Sequence, residues 1–317
     1  MVTTTEFLRK VKSAALVPTH QITYQDSDIL DLANEEMDNL IVPFITAMRE
    51  EFFVVQTTIP IVAGVAAINI PERAVGRTIR NLNIMITGDN RPKELIRASL
   101  SETFALNTNP DVPVFHYFQG DQIMVNPVPA SNYGNYLLWW EMRPNRLVPV
   151  SDVGIISSVS NTSVTVQQNL NKAITTGSIV DVYKTKNGYS NIYYDAVVGS
   201  ASTGMGAKVL VLSGFSAGNP ITGVSIGDNI SLAWQGSTIQ LPDEAVVCLV
   251  QATALRMLQG QEQANQYSIT KGLLDRNLNS LQMALTPRNE GQALKIRVKH
   301  PSFGPGRRFS IFGVASN

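Results

Sequence analysis

Cysteine occurs once in this 317-residue chain, at Cys248. A single thiol excludes an internal disulfide framework and a cysteine-built zinc site, and it fits synthesis in a reducing cytoplasm. Cys248 lies in the apolar run AVVCLV, where a thiol behaves as a small buried hydrophobe and not as a nucleophile. Histidine is nearly as scarce. His20, His116 and His300 stand far apart and form no HExxH or HxH pattern, so no metal or other cofactor is expected. Charge is sparse as well: 16% of residues are charged, and 25 Lys plus Arg balance 25 Asp plus Glu. A neutral chain exerts no long-range pull on nucleic acid or an anionic surface. No apolar run approaches the roughly 18 to 20 residues that cross a bilayer, so no membrane partner is expected. The opening MVTTTEFLRKVKSAALVPTH has no apolar core of the kind a secretory leader needs.

The charges that are present are unevenly placed. Between Asp26 and Glu51 there are eight acids and one base, Arg49. After Glu290 there are no acids, only Lys295, Arg297, Lys299, Arg307 and Arg308. An acidic segment near one end therefore faces a basic one at the other.

Periodicity divides the chain into five stretches. In 1–52, a short helix over about Thr5 to Leu16 precedes a long one, SDILDLANEEMDNLIVPFITAMREEFFV, with Ser27 as N-cap. Ile29, Leu30, Ala33, Met37, Leu40, Ile41, Phe44, Ile45 and Met48 repeat at helical spacing, and Pro43 should kink or split the helix. In 53–150 the period shortens to that of strands: RTIRNLNIMI, a hairpin HYFQGDQIMVNPVP around Gln119, Gly120 and Asp121, and the aromatic NYLLWWEMRP. PKELIRASLSETFAL reads as helical or irregular. Residues 151–240 hold short alternating runs, SVTVQ, SIVDVYK, KVLVLS and NISLAW, in two weakly similar halves. They predict an inserted all-β domain, a small barrel or sandwich. In 241–286 two helices return, the first opened by Pro242, Asp243 and Glu244, the second with Ile269, Leu273, Leu274, Leu278, Leu281 and Leu285 on a shared face. Residues 287–317 carry a basic strand, ALKIRVKHP, and an extended tail. The fold class is α+β: N- and C-terminal helices forming a helical bundle, with antiparallel β regions and the insert between them.

No catalytic constellation emerges. GSASTGMGAK lacks the strand–GxxxxGK[ST]–helix setting of a phosphate loop and runs into the β segment KVLVLS, so it reads as a loop between strands. Asp28, Asp31, Glu35 and Asp38 fall opposite the apolar stripe of their helix, a spacing that suits a solvated or inter-subunit face better than an acid–base pair. Tyr136, Trp139 and Trp140 lack interleaved Arg or Lys and read as core or interface. The tail differs from an ordinary frayed terminus, because Phe309, Ile311 and Phe312 are apolar anchors beside the Arg307–Arg308 pair. It packs on its own domain or orders on a partner, with Arg297 and Lys299 of the basic strand beside it.

The blocks LVPTHQITYQDSDILDLANEEMDNLIVPFITAMREEFFV and IPIVAGVAAINIPERAVGRTIRNLNIMI, with LPDEAVVCLVQATALRMLQGQEQANQYSITKGLLDRNLNSLQ and the basic tail, resemble head-to-tail connector adaptors of tailed bacteriophages. The resemblance covers about two-thirds of the chain and leaves 151–240 as an insertion. It implies a non-enzymatic virion protein of the neck, assembled in the host cytoplasm. Its expected partners are the portal protein, further copies of itself in a dodecameric ring, and a downstream tail or nozzle protein. Double-stranded DNA would pass through the lumen without sequence-specific contact, and the C-terminal arm would reach the portal. The rival reading is a tail-associated carbohydrate-binding or hydrolytic protein. Hydrolysis needs a carboxylate pair, and the insert offers Asp152, Asp181, Asp195 and Asp228 with no Glu. A sequence-specific DNA binder would need a basic groove-reading helix, which is missing.

Overall fold

Pro43 splits the first long helix without ending it. In the computed structural model, which describes residues 2–16, 24–89, 91–99, 109, 111–167, 174–185, 191–202, 208–216, 219–260 and 264–286, α1 spans Thr4–Ala14 and α2 spans Asp26–Glu36. A π-helical turn, Met37–Ile41, follows, and α3 resumes at Val42–Met48 with Pro43 in its first turn. Proline has no N–H, and its ring collides with the carbonyl four residues earlier. Widening the preceding turn, with the Val42 N–H reaching back to the Met37 carbonyl, accommodates the ring and keeps the axis running. The N-cap is Gln25 and not Ser27: the Asp28 carboxylate accepts the Gln25 backbone N–H at 3.0 Å, so the acid one turn in closes the helix start.

The C-terminal helices are α4, Asp243–Gly260, and α5, Ala264–Leu285. Ten residues of α4 are buried, on nearly every side, because α1, α2 and α5 all pack against it. Phe7 and Val11 of α1, Ile29 and Ala33 of α2, Leu249 and Met257 of α4, and Leu274 and Leu281 of α5 share one apolar cluster. Ile269 and Leu273 depart from the expected shared face. They lie outward, while Leu274, Leu281 and Leu285 turn inward.

Among the described residues, eight strands form the middle of the chain: β1 Val54–Pro60, β2 Ala67–Asn69, β3 Asn81–Ile86, β4 Lys93–Glu94, β5 Ile96–Arg97, β6 Phe115–Gln119, β7 Gln122–Asn126 and β8 Gly134–Glu141. They make two sheets, ordered β1-β8-β3-β4 and β2-β7-β6-β5. The 93–97 stretch is therefore β and not helix. Buried Leu95 sits between β4 and β5, where the chain passes from one sheet to the other. Alternation along β8 sends Tyr136, Leu138 and Trp140 into the core with Leu82, Ile84 and Ile123, and leaves Leu137 and Trp139 on the outer face. Gly134 permits the β3–β8 contact, since a Cβ there would lie 2.0 Å from the Met85 carbonyl oxygen.

After β9, Arg146–Leu147, come β10 Gly154–Val159, β11 Ser163–Val166, β12 Ile179–Tyr183, β13 Asn191–Ala201, β14 Lys208–Leu212, β15 Asn229–Leu232 and β16 Gln235–Gly236. Strands β10 to β15 close into an antiparallel barrel, ordered β10-β11-β14-β13-β12-β15, filled by Ile156, Val164, Val180, Val182, Leu210 and Ile230. Exchanging β10 with β13, β11 with β14 and β12 with β15 leaves this order unchanged. The two similar halves of the sequence are thus equivalent in the barrel. β9 and β16 pair in parallel, so the chain arrives and leaves side by side. Leu249 lies at the centre of the helical cluster. Leu249→Ala should lower stability by about 2–5 kcal/mol, read by chemical denaturation, whereas half-buried Leu255 should tolerate the same change with a smaller loss.

Candidate functional site

The four expected acids do not form one uniform stripe. Asp28 and Asp31 of α2 are exposed, and Asp28 is engaged by its own helix start. Glu35 lies 4.0 Å from Arg256 of α4, and its neighbour Glu36 makes the closer pair with that arginine at 2.7 Å. Asp38 stands 3.9 Å from Arg143. Two of the four acids thus face bases of their own chain. Arg297, Lys299, Arg307, Arg308, Phe309, Ile311 and Phe312 lie outside the described residues.

Residues with chemical potential are occupied structurally. His116 is buried, with Nδ1 3.1 Å from the Leu95 carbonyl oxygen, and burial holds its pKa below the ordinary imidazole value. Cys248 is buried, and burial pushes its thiol up to about 11, far from a reactive thiolate. GSASTGMGAK joins β13 to β14, which are paired neighbours. Of the insert's acids, Asp228 accepts the Ser225 N–H at 2.7 Å in a turn. Among the described residues no group of three or more His, Cys, Asp or Glu is placed to hold a metal ion, and no helix is long and apolar enough to cross a membrane.

The densest polar constellation joins the three parts of the fold. Arg73, from the β2–β3 connection, is 2% exposed and donates from Nη2 to Asp181 of β12 at 2.7 Å; Asp181 is fully buried. Asp195 of β13, at positive φ, approaches the same nitrogen at 3.2 Å. Burial raises the Asp195 pKa, and the Arg73 charge opposes that rise. Arg73 Nη1 donates to Asn145 Oδ1 at 3.3 Å, and the guanidinium lies 5.2 Å over the Trp234 ring. Asp181 also accepts the backbone N–H groups of Trp234 and Asp195. Asn145 receives support from Gln240, and Asn34 of α2 exchanges two hydrogen bonds with the Leu147 backbone. Asp181 is fully enclosed by Arg73 and two backbone N–H groups, whereas Asp195 pairs with the same guanidinium from a 42% exposed side chain. Sequence inspection had no means of finding this node: its members are 72 and 108 residues from Arg73 and carry no spacing signal.

No family model matches this chain, and no curated protein matches it. Its function must therefore be read from its own surfaces. Two of these are distinctive. One is the outward side of α5, where Ile269, Leu273 and Met283 are 58%, 45% and 77% exposed. Their spacing through Arg276 and Ser280 is four, three, four and three residues, which keeps one straight stripe. The other is a groove of about 650 Å³ on the outer face of the β1-β8-β3-β4 sheet, beside Trp139.

Arg73→Met should leave buried Asp181 uncompensated and lower stability by about 3–5 kcal/mol. The double variant Arg73→Met/Asp181→Asn removes both charges while keeping an acceptor for the Trp234 or Asp195 N–H. It should be more stable than Arg73→Met alone in a denaturation series; equal or greater loss would show that Arg73 acts through packing and not charge.

Proposed function

We propose that this chain is a structural subunit of a phage neck, a head-to-tail connector adaptor that forms a ring below the portal and passes DNA through its lumen. In this reading α1, α2, α4 and α5 serve as a helical bundle that builds the ring wall, twelve copies closing head to tail. The observation that carries the reading is the exposed stripe of Ile269, Leu273 and Met283 on α5. Ile269 and Leu273 lie one turn apart, and Met283 follows on the same line beyond Arg276 and Ser280, a mixed face that a subunit contact would cover. The exposed acids of α2 support it: Asp28 and Asp31 have no basic partner among the described residues, and the chain's last five bases have no acids among them. Opposite charges on successive copies would set their register.

The tail residues Phe309, Ile311 and Phe312 supply about 1.5–3 kcal/mol per large side chain once fully buried. Arg307 and Arg308 add charge-assisted hydrogen bonds. Repeated around a ring, such arms give avidity beyond any single contact. A downstream tail or nozzle protein would meet the opposite side.

Light scattering should record a ring-sized increase in mass when portal is added to the purified full chain. Truncation after His300 should leave the thermal melt unchanged and abolish retention on immobilised portal. Ile269→Asp/Leu273→Asp should fold normally yet fail to form the ring. Equal portal retention by full-length and truncated chains would remove the docking arm from this reading, and ring formation by the double Asp variant would remove the α5 contact.

A further inference from the structure

The outer face of the β1-β8-β3-β4 sheet carries chemistry that neither the core nor the ring contact uses. Strand register sets Gln56, Trp139 and Asn81 side by side in one row, and Thr58, Leu137, Asn83 and Glu94 in the next. Directly opposed residues on antiparallel strands bring their Cβ atoms to about 4.5–5.5 Å. The Trp139 ring is therefore flanked by two primary amides, with the Asn83 amide one row along. The groove over this face holds about 650 Å³, inside the roughly 300–1,000 Å³ of small-molecule sites.

Two groups there are unused. Asn83 Oδ1 is sealed from solvent and accepts no hydrogen bond among the described residues, which leaves its acceptor capacity unmet at the floor of the groove. The Trp139 indole makes no hydrogen bond among the described residues, whereas the adjacent Trp140 donates its Nε1–H to Thr57 at 2.8 Å. The charge at the groove selects further. Arg80 is already held by Glu50 at 2.8 Å and Glu141 at 3.8 Å. Exposed Glu51 and Glu94 remain at the rim and repel anions.

We propose that this face binds a neutral oligosaccharide. A pyranose presents an apolar C–H side that packs on a half-exposed indole, and hydroxyls that both donate and accept. Primary amides match them in both senses. The Trp139 indole N–H and the Gln56 and Asn81 amides on either side of it are the groups that meet those hydroxyls. Glu51 and Glu94 favour neutral over carboxylated or sulfated saccharides. The proposal stands apart from the ring reading, since it holds or fails on the isolated chain without portal.

The test is a titration of the ¹⁵N-labelled full chain, whose three tryptophans give three indole signals. Maltotriose, cellotriose and triacetylchitotriose are added separately. The Trp139 signal, identified by its loss in Trp139→Phe, should move saturably with at least one of them. Asn81→Ala should weaken that binding roughly two- to tenfold, the effect of one lost hydrogen bond. Gln56→Ala, on the other side of the indole, provides an independent variant should Asn81→Ala fold poorly. A Trp139 signal unmoved by all three sugars overturns the proposal. So do equal shifts in all three indole signals, or movement of the Trp139 signal with protein concentration alone, which would make the face a contact between copies.

Discussion

The contact between Arg73 and Asp181 is where the sandwich formed by the two sheets of β1–β8, the barrel of β10–β15 and the linker around Asn145, between β8 and β9, are held to one another. Its attraction is strong at low dielectric, but stripping water from both charges offsets much of that gain. Replacement by a well-packed apolar pair would cost little stability in principle. What an apolar pair would not supply is direction. The guanidinium is a planar fork, and its nitrogens meet Asp181, Asp195 and Asn145 while its face covers Trp234. Those partners come from two barrel strands, the linker and the turn after β15. All four meet one rigid group only when the barrel sits at one rotation against the sandwich. The node therefore acts mainly on orientation, and the apolar clusters on either side supply the bulk of the stability.

The rest of the frame extends outward from that node. Asn145 is held by Gln240, just before α4, and Leu147 two residues on is held by Asn34 of α2. The first helical segment, the linker and the start of the last helical segment thus meet beside the Arg73 node. Parallel pairing of β9 with β16 keeps the two ends of the barrel adjacent. A domain whose ends lie side by side can be inserted into a connection without separating the elements it interrupts. Here the barrel then gains a hold on its host: Asp181 answers a buried positive charge that the sandwich carries. Excising the barrel would take Asp181, Asp195 and the Trp234 ring away from Arg73, so insertion and host are no longer independent.

What could be read from the sequence was what has a period. The apolar stripe from Ile29 to Met48, the alternating runs of the barrel and the Gly120 hairpin are each local, and each appears in the structure. Pro43 was legible as a disturbance, because its missing N–H must be accommodated whatever the surroundings. Two-residue strands such as β4 and β5 have no period to show, and only Leu95 burying itself at the sheet corner makes that segment β. On α5, sequence alone grouped Ile269 and Leu273 with Leu274. The helix turns about 100° per residue, and the face that meets α4 is set by Leu274, Leu281 and Leu285, leaving the other two outside. The N-cap shifted from Ser27 to Gln25 because Asp28 could reach back. The buried node had no local mark at all.

Trp139 and Trp140 show how one residue of register separates structure from function. They are adjacent and chemically identical, and the pleat sends them to opposite faces. Trp140 fills the sandwich core, with its indole N–H given to Thr57 and Tyr194 edge-on beside it. Trp139 lies among amides on the outer face, where a large aromatic contributes nothing to that core. Its indole is partly buried against cross-strand neighbours and does not fill the core as Trp140 does. The same reasoning applies to Ile269 and Leu273 beside Leu274. In both places the fold needs one of the neighbouring apolar groups and leaves the other to a surface. These two surfaces are far apart in composition: the helical one is aliphatic and the sheet one is aromatic and amide-rich. The difference follows from which neighbour each fold element needed for its core: a helix discards aliphatic side chains to its outer face, and a sheet discards an indole among amides and carboxylates.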